Sequence, residues 1–520
     1  MSMIRSNVML SSQNRQIPDS RSSNLYILEN KSLSNEGGGS AMLSFEENNY
    51  FTLDSSSLSG GFTSCESPEV SISSSASPLS TQFSFSDTSL SSEITFETRQ
   101  WLRDVELTLI GHESGSSFSD DFYLSGGFQN DVVELSPELP LKEALLACAE
   151  AVSNNDVQKC WDLLQFLEPK VNVNGDPLER VGAYMLEALR ARVQFTGTFI
   201  YQSLKCDAPI STELFTYMSF LYTICPYWKF VYVSANAAIL DAVQNEPIIH
   251  IIDFQIAQGT QWVALIQSLS QRVGGPPALR ITGVDDPQSV HARGGGLEIV
   301  ARRLQQFADS HSVPFIFHDA AISCGEVQTD TLRFYPGEAV VVNFPFVLHH
   351  MADESVSTRN QRDGLLHLVK KMSPKLVTLA EQESNTNTTP FLARFLETLD
   401  YYTAIFESID AGCARDNKQR VSAEQHCVAR DMVNMIACEN EARVERHELF
   451  GKWRRRMTWA GFEQVPLDDP VADVARTMLA EFDRNFRIEV SDGALFLWWK
   501  RRAMASSSAW RVRTNQFTDS

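Results

Sequence analysis

Three short stretches of this chain place side chains where chemistry is conceivable, and each is incomplete. The first is Asp253-Phe-Gln-Ile-Ala-Gln-Gly259-Thr-Gln-Trp262, a loop that follows an apolar, β-branched run. In a nucleotide-binding βαβ unit such a loop carries two or three glycines, so that backbone can approach a phosphate or the methionyl group of a cosubstrate. Here Gly259 stands nearly alone, and Phe254, Ile256 and Ala257 add Cβ atoms where close approach is needed. A working cofactor loop is therefore not expected. Asp253 has the type and position of a catalytic carboxylate, but the loop supplies neither a base nor a metal ligand beside it, which favours a structural role.

The second stretch is Gly294-Gly295-Gly296, ahead of a helical pattern over 297–307. A glycine-rich helix start can hold an anion, yet no Gly-Lys-Ser/Thr completes a P-loop, and a flexible helix start is the reading adopted. The third is His349-His350 with Asp353 and Glu354. Adjacent imidazoles on a helix point apart and no ligand at a strand end accompanies them, so no metal is expected. No Gly-x-Ser-x-Gly element exposes a nucleophile, and the nine cysteines form no Cys-x-x-Cys pair. They read as reduced thiols of a nuclear or cytosolic protein, without hydrolase chemistry. The basic clusters Lys452-Trp-Arg-Arg-Arg456 and Lys500-Arg-Arg502 stay between two readings: contact with phosphate or an import receptor, and a solvated face.

The elements that must position these residues change character along the chain. Leu141, Ala144, Leu145, Cys148 and Val152 recur with a period of 3.6, with Glu143 and Glu150 outside, and similar patterns continue to about Gln244. They predict a helical region over 139–245. From Pro247 the rhythm shifts. Ile248–Asp253, Leu279–Val284, Pro314–His318, Ala339–Asn343 and Lys375–Ala380 are short apolar runs, most with a helical pattern between, which predicts a parallel sheet covered on both faces. Phe486–Val490 and Ala494–Trp498 flank Ser-Asp-Gly493, the turn of an antiparallel hairpin. Five β/α units closed by a hairpin is the order of an α/β fold with a Rossmann-like, methyltransferase-like core, here 246–511, beneath an N-terminal helical cap.

Composition limits the partners. The 520 residues include 65 Asp or Glu and 44 Lys or Arg, a formal charge of −21, and the first 138 residues alone hold 19 acidic and 6 basic side chains. A protein that binds DNA electrostatically neutralises phosphates with Lys and Arg, so nucleic-acid contact here must be local or arranged by a partner. Region 1–138 is rich in Ser and low in complexity, and it cannot bury enough apolar surface to offset an ordering cost of roughly 1–2 kcal/mol per residue. It is expected to be disordered. Within it Phe83, Phe85, Trp101 and Leu102 sit among acids, the mixture of activation segments that fold on a partner; a tail with stray apolar residues is the rival reading. Leu141, Leu145 and Val152 offer more apolar surface than one helical layer needs, as a dimer or partner face would, against burial in the core. No apolar run approaches the ~18 residues that cross a bilayer, and no membrane association is expected.

Taken together the motifs resemble the plant GRAS family of transcriptional regulators. Ile249-His250-Ile251-Ile252-Asp253 is similar to that family's Val-His-Ile-Ile-Asp run, with Ile in place of the first Val. The stretch 139–511 resembles the five GRAS blocks in order. Pro374, Phe395, Tyr401 and Arg430 fall in the block named for such residues, where Asp431 replaces the family's Glu and keeps its charge. Trp453 with Gly461, Trp499 with Trp510, and Ser508-Ala509-Trp510 match the spacings of the last block. Phrases such as Leu348-His-His-Met351 and Glu381-Gln-Glu-Ser-Asn-Thr-Asn387 resemble the branch named for phytochrome A signal transduction, with its scarecrow-like and chitin-inducible, gibberellin-responsive members. The DELLA degradation motif is absent, so direct control by a gibberellin receptor is not implied.

The resemblance implies a nuclear protein, also found in the cytoplasm, that regulates transcription in light, hormone or stress responses without enzyme activity or a cofactor. It implies association with DNA-binding transcription factors or with other GRAS proteins as homo- or heterodimers, DNA contact being indirect. Direct sequence-specific DNA recognition is the alternative, and an S-adenosylmethionine-dependent methyltransferase-like enzyme ranks last. Trp453, Trp499 and Trp510 are expected to be buried between the last helix and the hairpin.

Overall fold

A computed structural model describes residues 138–286 and 296–514. The predicted disordered tail, with Trp101 and Leu102, lies outside the described residues, as do Gly294 and Gly295.

The chain first builds helices α1 (Leu141–Ser153), α2 (Val157–Leu167), α3 (Pro177–Val193), α4 (Ile200–Ser203), α5 (Ser211–Ile224) and α6 (Pro226–Ala242). Local sequence explains their limits. Asp176 caps α3 by accepting from the Glu179 backbone N–H at 2.9 Å, Glu179 returns the bond to the Asp176 N–H, and Pro177 fills the first helical position, where no donor is missed. Helix α6 is buried on nearly every face, so it serves as an inner layer between the other helices and the sheet.

Next come β1 (Ile248–Asp253), α7 (Thr260–Ser270), β2 (Ala278–Asp285), α8 (Leu297–Ser310), β3 (Phe315–Ala321), β4 (Ala339–Pro345), α9 (Gln361–Lys371) and β5 (Leu376–Gln382). The five strands pair in parallel in the order β3-β2-β1-β4-β5. Side chains alternate across this sheet. In β1, Ile249 and Ile251 enter the core shared with the cap helices, while Ile252 enters a second core on the other face with Val342, Phe344, Trp453 and Trp510. His250, fully buried, lies 2.8 Å from Thr282 Oγ1 through Nε2 and 3.0 Å from Glu338 through Nδ1.

Helices α10 (Phe391–Gly412), α11 (Lys418–Glu424) and α12 (Arg430–Ala437) follow, then α13 (Phe450–Ala460), β6 (Phe462–Val465), α14 (Asp469–Leu479), β7 (Phe486–Ser491), β8 (Ala494–Trp499) and β9 (Arg502–Val512). Two features add to the sequence reading here. The helical layer is not drawn from the N-terminal stretch alone, because α10 and α12 pack on α3. Arg180 of α3 ties them together: wholly buried, it donates to Asp410 at 2.7 Å, to Glu424 at 3.1 Å and to the Phe406 carbonyl at 3.1 Å. The hairpin β7–β8 does not meet β5 either. Strand β9 lies between them, antiparallel to β5 along one edge and to β8 and then β6 along the other.

The tryptophans are buried but do not share a pocket. Trp453 and Trp510 lie in the core beneath α9 and α13, whereas Trp499 packs against Phe486 on the cap side of the sheet. Leu145 is wholly buried in the core, whereas Leu141 and Val152 are partly buried against it. No helix among the described residues is long and apolar enough to cross a membrane.

Candidate functional site at the carboxyl edge of the sheet

In doubly wound sheets a ligand sits outside the carboxyl ends of the strands, where the strand order reverses, which here is between β1 and β4. Asp253 ends β1 at that point and is buried. Its Oδ2 accepts from Trp262 Nε1 at 2.7 Å, and its Oδ1 accepts from the Gln255 N–H at 3.1 Å and Asn343 Nδ2 at 3.3 Å. Burial pushes this carboxyl up to about 7 while the three donors pull it down. Asn343 also donates to Gln261 Oε1 at 3.0 Å and accepts from Thr378 Oγ1 at 2.7 Å, and Gln261 donates to Asn236 of α6 at 3.2 Å. This net joins cap, β1, β4 and β5. Its groups satisfy one another, and none is presented to a ligand.

The apolar side chains of the loop after β1 pack into the protein. Phe254 stacks on Phe344 with ring centroids 4.8 Å apart, and Ile256 and Ala257 are buried. The turn closes through the Gly259 N–H to the Ile256 carbonyl at 2.8 Å, and Gly259 itself has φ +67°, with α8 packed so close that a Cβ would lie 3.0 Å from Leu304. Glycine is thus retained for the turn and for helix packing, the two roles that do not involve a phosphate.

Beside this loop, at the ends of β4 and β5, lies a group of charged side chains that sequence spacing did not reveal. His349 and His350 follow β4 on a 3-10 turn, and their rings do not diverge: the centroids are 3.9 Å apart. A strand-end carboxylate does accompany them, since Glu381 of β5 lies 2.5 Å from His349 Nδ1. Glu445, from the segment between α12 and α13, is wholly buried; its Oε2 is 3.4 Å from His349 Nε2 and its Oε1 is 3.4 Å from His350 Nδ1. His447 lies 3.1 Å from Glu445 Oε2. Burial pulls the His349 imidazole down, but the carboxylates of Glu381 and Glu445 outweigh it and raise it to about 10. Burial drives the Asp431 carboxyl well above its ordinary range, and the nearby Glu445 adds to this. Glu445 and His447 lay in no stretch that the sequence had singled out.

Asp353 and Glu354 serve elsewhere. Asp353 accepts from Asn387 at 2.5 Å, from Arg456 at 2.9 Å and from Arg362 at 3.3 Å, and Glu448 accepts from Arg456 at 2.6 Å and from Asn387 at 2.8 Å. Arg456, the last residue of the first basic cluster, is thereby internal. Two members of the second cluster are paired: Lys500 donates to Glu407 at 2.6 Å and Arg502 to Glu397 at 2.5 Å. Arg456, Lys500 and Arg502 are thus engaged by carboxylates of the fold, while Arg455 and Arg501 are exposed.

The remaining sequence-derived residues are placed by packing. Pro374 and Phe395 are buried, and Tyr401 donates to the Met504 carbonyl of β9 at 2.7 Å. Arg430 and Asp431 start α12 and are largely buried. Gly461 closes α13 with φ +95°, and a Cβ there would meet Lys370 at 2.3 Å. Ser508 donates to the Leu379 carbonyl at 3.2 Å and accepts from Trp510 Nε1 at 2.9 Å, and Ala509 is wholly buried between β5 and β6.

A Rossmann-like core under a helical layer, with the loop after its first strand packed by apolar side chains, defines the class. The GRAS domain family matches residues 141–511, and the chain belongs to that family. Scarecrow-like protein 13 of Arabidopsis thaliana is 52% identical over 488 residues, covering 90% of this chain and 92% of that protein. Chitin-inducible gibberellin-responsive protein 2 of Oryza sativa subsp. japonica is 48% identical over 484 residues, covering 89% and 88%. Scarecrow-like transcription factor PAT1 of Arabidopsis thaliana is 49% identical over 418 residues, covering 79% and 85%. The crystal structure of SCL7 in Oryza sativa matches with a TM-score of 0.64 at 32% identity, covering 72% of this chain and 99% of that one.

Proposed function

We propose that this chain is a nuclear transcriptional regulator or co-regulator in plant signalling, without enzyme activity, which acts by joining a DNA-bound protein partner. The observation that carries the reading is the crevice between β1 and β4, where Phe254, Ile256 and Ala257 occupy the place of a cosubstrate. The printed names of its relatives, a transcription factor among them, support the regulatory class. Charge supports recruitment over direct DNA readout. Arg180, Arg362, Arg394, Arg420, Arg456 and Arg502 are all held by carboxylates within the fold, and the net charge is −21. A net negative charge opposes the approach of the chain to DNA phosphates. Other GRAS proteins are further candidate partners.

The full chain fused to a foreign DNA-binding domain tests this with a reporter gene in plant cell nuclei. Altered transcription, together with weak and sequence-independent DNA binding by the purified chain, is the expected pair of results. Tight, sequence-specific binding by the purified chain would favour direct recognition.

A further inference from the structure

We propose that His349, His350 and Glu445 form a binding site for one divalent transition-metal ion of the zinc type. The proposal is independent of how the protein acts on transcription. One donor atom each from His349, His350 and Glu445 lie within 4.8 Å of one another; His349 Nε2 is 3.4 Å from Glu445 Oε2, and His350 Nδ1 is 3.4 Å from the other oxygen, Oε1. That is long for a hydrogen bond. It is close to the edge of a tetrahedron around zinc, since bonds of about 2.0–2.2 Å place neighbouring donor atoms about 3.3–3.5 Å apart. Two of these atoms, His350 Nδ1 and Glu445 Oε1, are buried and make no well-formed hydrogen bond beyond their mutual 3.4 Å approach. An orphaned acceptor on a wholly buried carboxylate is costly, and a cation between it and the imidazole would satisfy both.

The surroundings are those of a metal ligand set. Glu381 holds His349 Nδ1 at 2.5 Å, the carboxylate-to-imidazole contact that fixes the tautomer and orientation of a ligating histidine. His447 stands alongside, its ring centroid 4.6 Å from that of His349, within the same buried group. Two imidazoles with one carboxylate suit zinc and its neighbours, not magnesium or calcium, which prefer oxygen alone. The side chain of His350 keeps 14% exposure while those of His349 and Glu445 keep almost none, so His350 forms the edge of the group nearest solvent. Its role would be structural. The donors come from the turn after β4 and the segment between α12 and α13, and Glu381 adds the end of β5, so the ion would fasten the helical layer to the sheet where the chain passes between them.

The test uses the full chain, reduced, stripped with a chelator and titrated with Zn2+ alone by calorimetry, with melting followed in parallel. One saturable site and a rise in Tm are expected, with Mg2+ producing neither. His350→Gln should weaken Zn2+ binding by more than about tenfold, whereas Cys324→Ser and Cys413→Ser should leave it unchanged. The absence of a saturable site, or undiminished binding by His350→Gln, overturns the proposal. Should that variant fail to fold, Co2+ bound to the unaltered chain decides. A visible spectrum with nitrogen and oxygen ligands supports the site, and a thiolate charge-transfer band or no spectrum refutes it.

Discussion

Trp262 and Asp253 meet across 2.7 Å, with the indole N–H of α7 donating to the carboxylate that ends β1. A residue that would face a cosubstrate in an enzyme is here turned to hold its own helix. Trp262→Phe keeps the apolar ring and removes the donor, leaving a buried carboxylate oxygen short of one partner. We expect a loss of about 1–3 kcal/mol in urea denaturation, the cost of an unmet buried acceptor. An unchanged midpoint would show that the bond contributes nothing net.

The closed loop leads to a negative result for ligand binding. S-adenosylmethionine titrated into the full chain should give no saturable heat and no change in Tm, because Phe254 and Ile256 are packed where it would sit. Micromolar binding that disappears when this loop is altered would falsify the non-enzyme reading.

Two tryptophans separate packing from recognition. Trp510 is 1% exposed and Trp459 78%. Trp510→Ala should cost about 3–5 kcal/mol, so any loss of partner binding would accompany unfolding. Trp459→Ala should leave stability within about 0.5 kcal/mol. If Trp510→Ala melts like the parent chain yet loses its partner, the residue belongs to an interface.

A pH dependence follows from Glu383. Burial pushes its carboxyl from the usual 4.5 up to about 7, against the Phe450 N–H at 3.1 Å, Ser506 and Arg502, with Glu397 adding repulsion. Between pH 4.5 and 7 the folded chain keeps a proton that the unfolded chain has lost, so this group makes stability fall as pH rises, and above 7 the full cost persists. Glu383→Gln is neutral throughout. Its stability relative to the parent should rise by about 1–3 kcal/mol between pH 5 and 8, at about 1.4 kcal/mol per pKa unit. A difference that stays constant with pH would count against the assignment.

The alternation of strands and helices from Ile248 to Gln382 is legible in the sequence because strands buried on both faces leave continuous apolar runs. The Asp492-Gly493 turn likewise marks the hairpin β7–β8. Strand β9 is hidden, since Arg502–Val512 is mostly Ala and Ser; its extended state comes from pairing along both edges, which propensity does not encode. The return of α10 and α12 to the cap is hidden for a related reason. Periodicity shows which face of a helix is apolar, not what covers it. At His349 and His350 the expected helix is a 3-10 turn, and the carboxylates that meet the imidazoles come from β5 and from beyond α12, which spacing along the chain cannot show.

The position of β9 between β5 and the hairpin bears on how the protein is made. While the chain is emerging from a ribosome, β5 has no neighbour on its outer edge until Arg502–Val512 has been synthesised, although the strands and helices before it are already present. Its unpaired N–H and C=O groups are then open to mispairing with other nascent chains. Completion of the sheet therefore waits on Arg502–Val512, and a premature stop codon anywhere before Arg502 would leave a product exposed to chaperones and proteolysis.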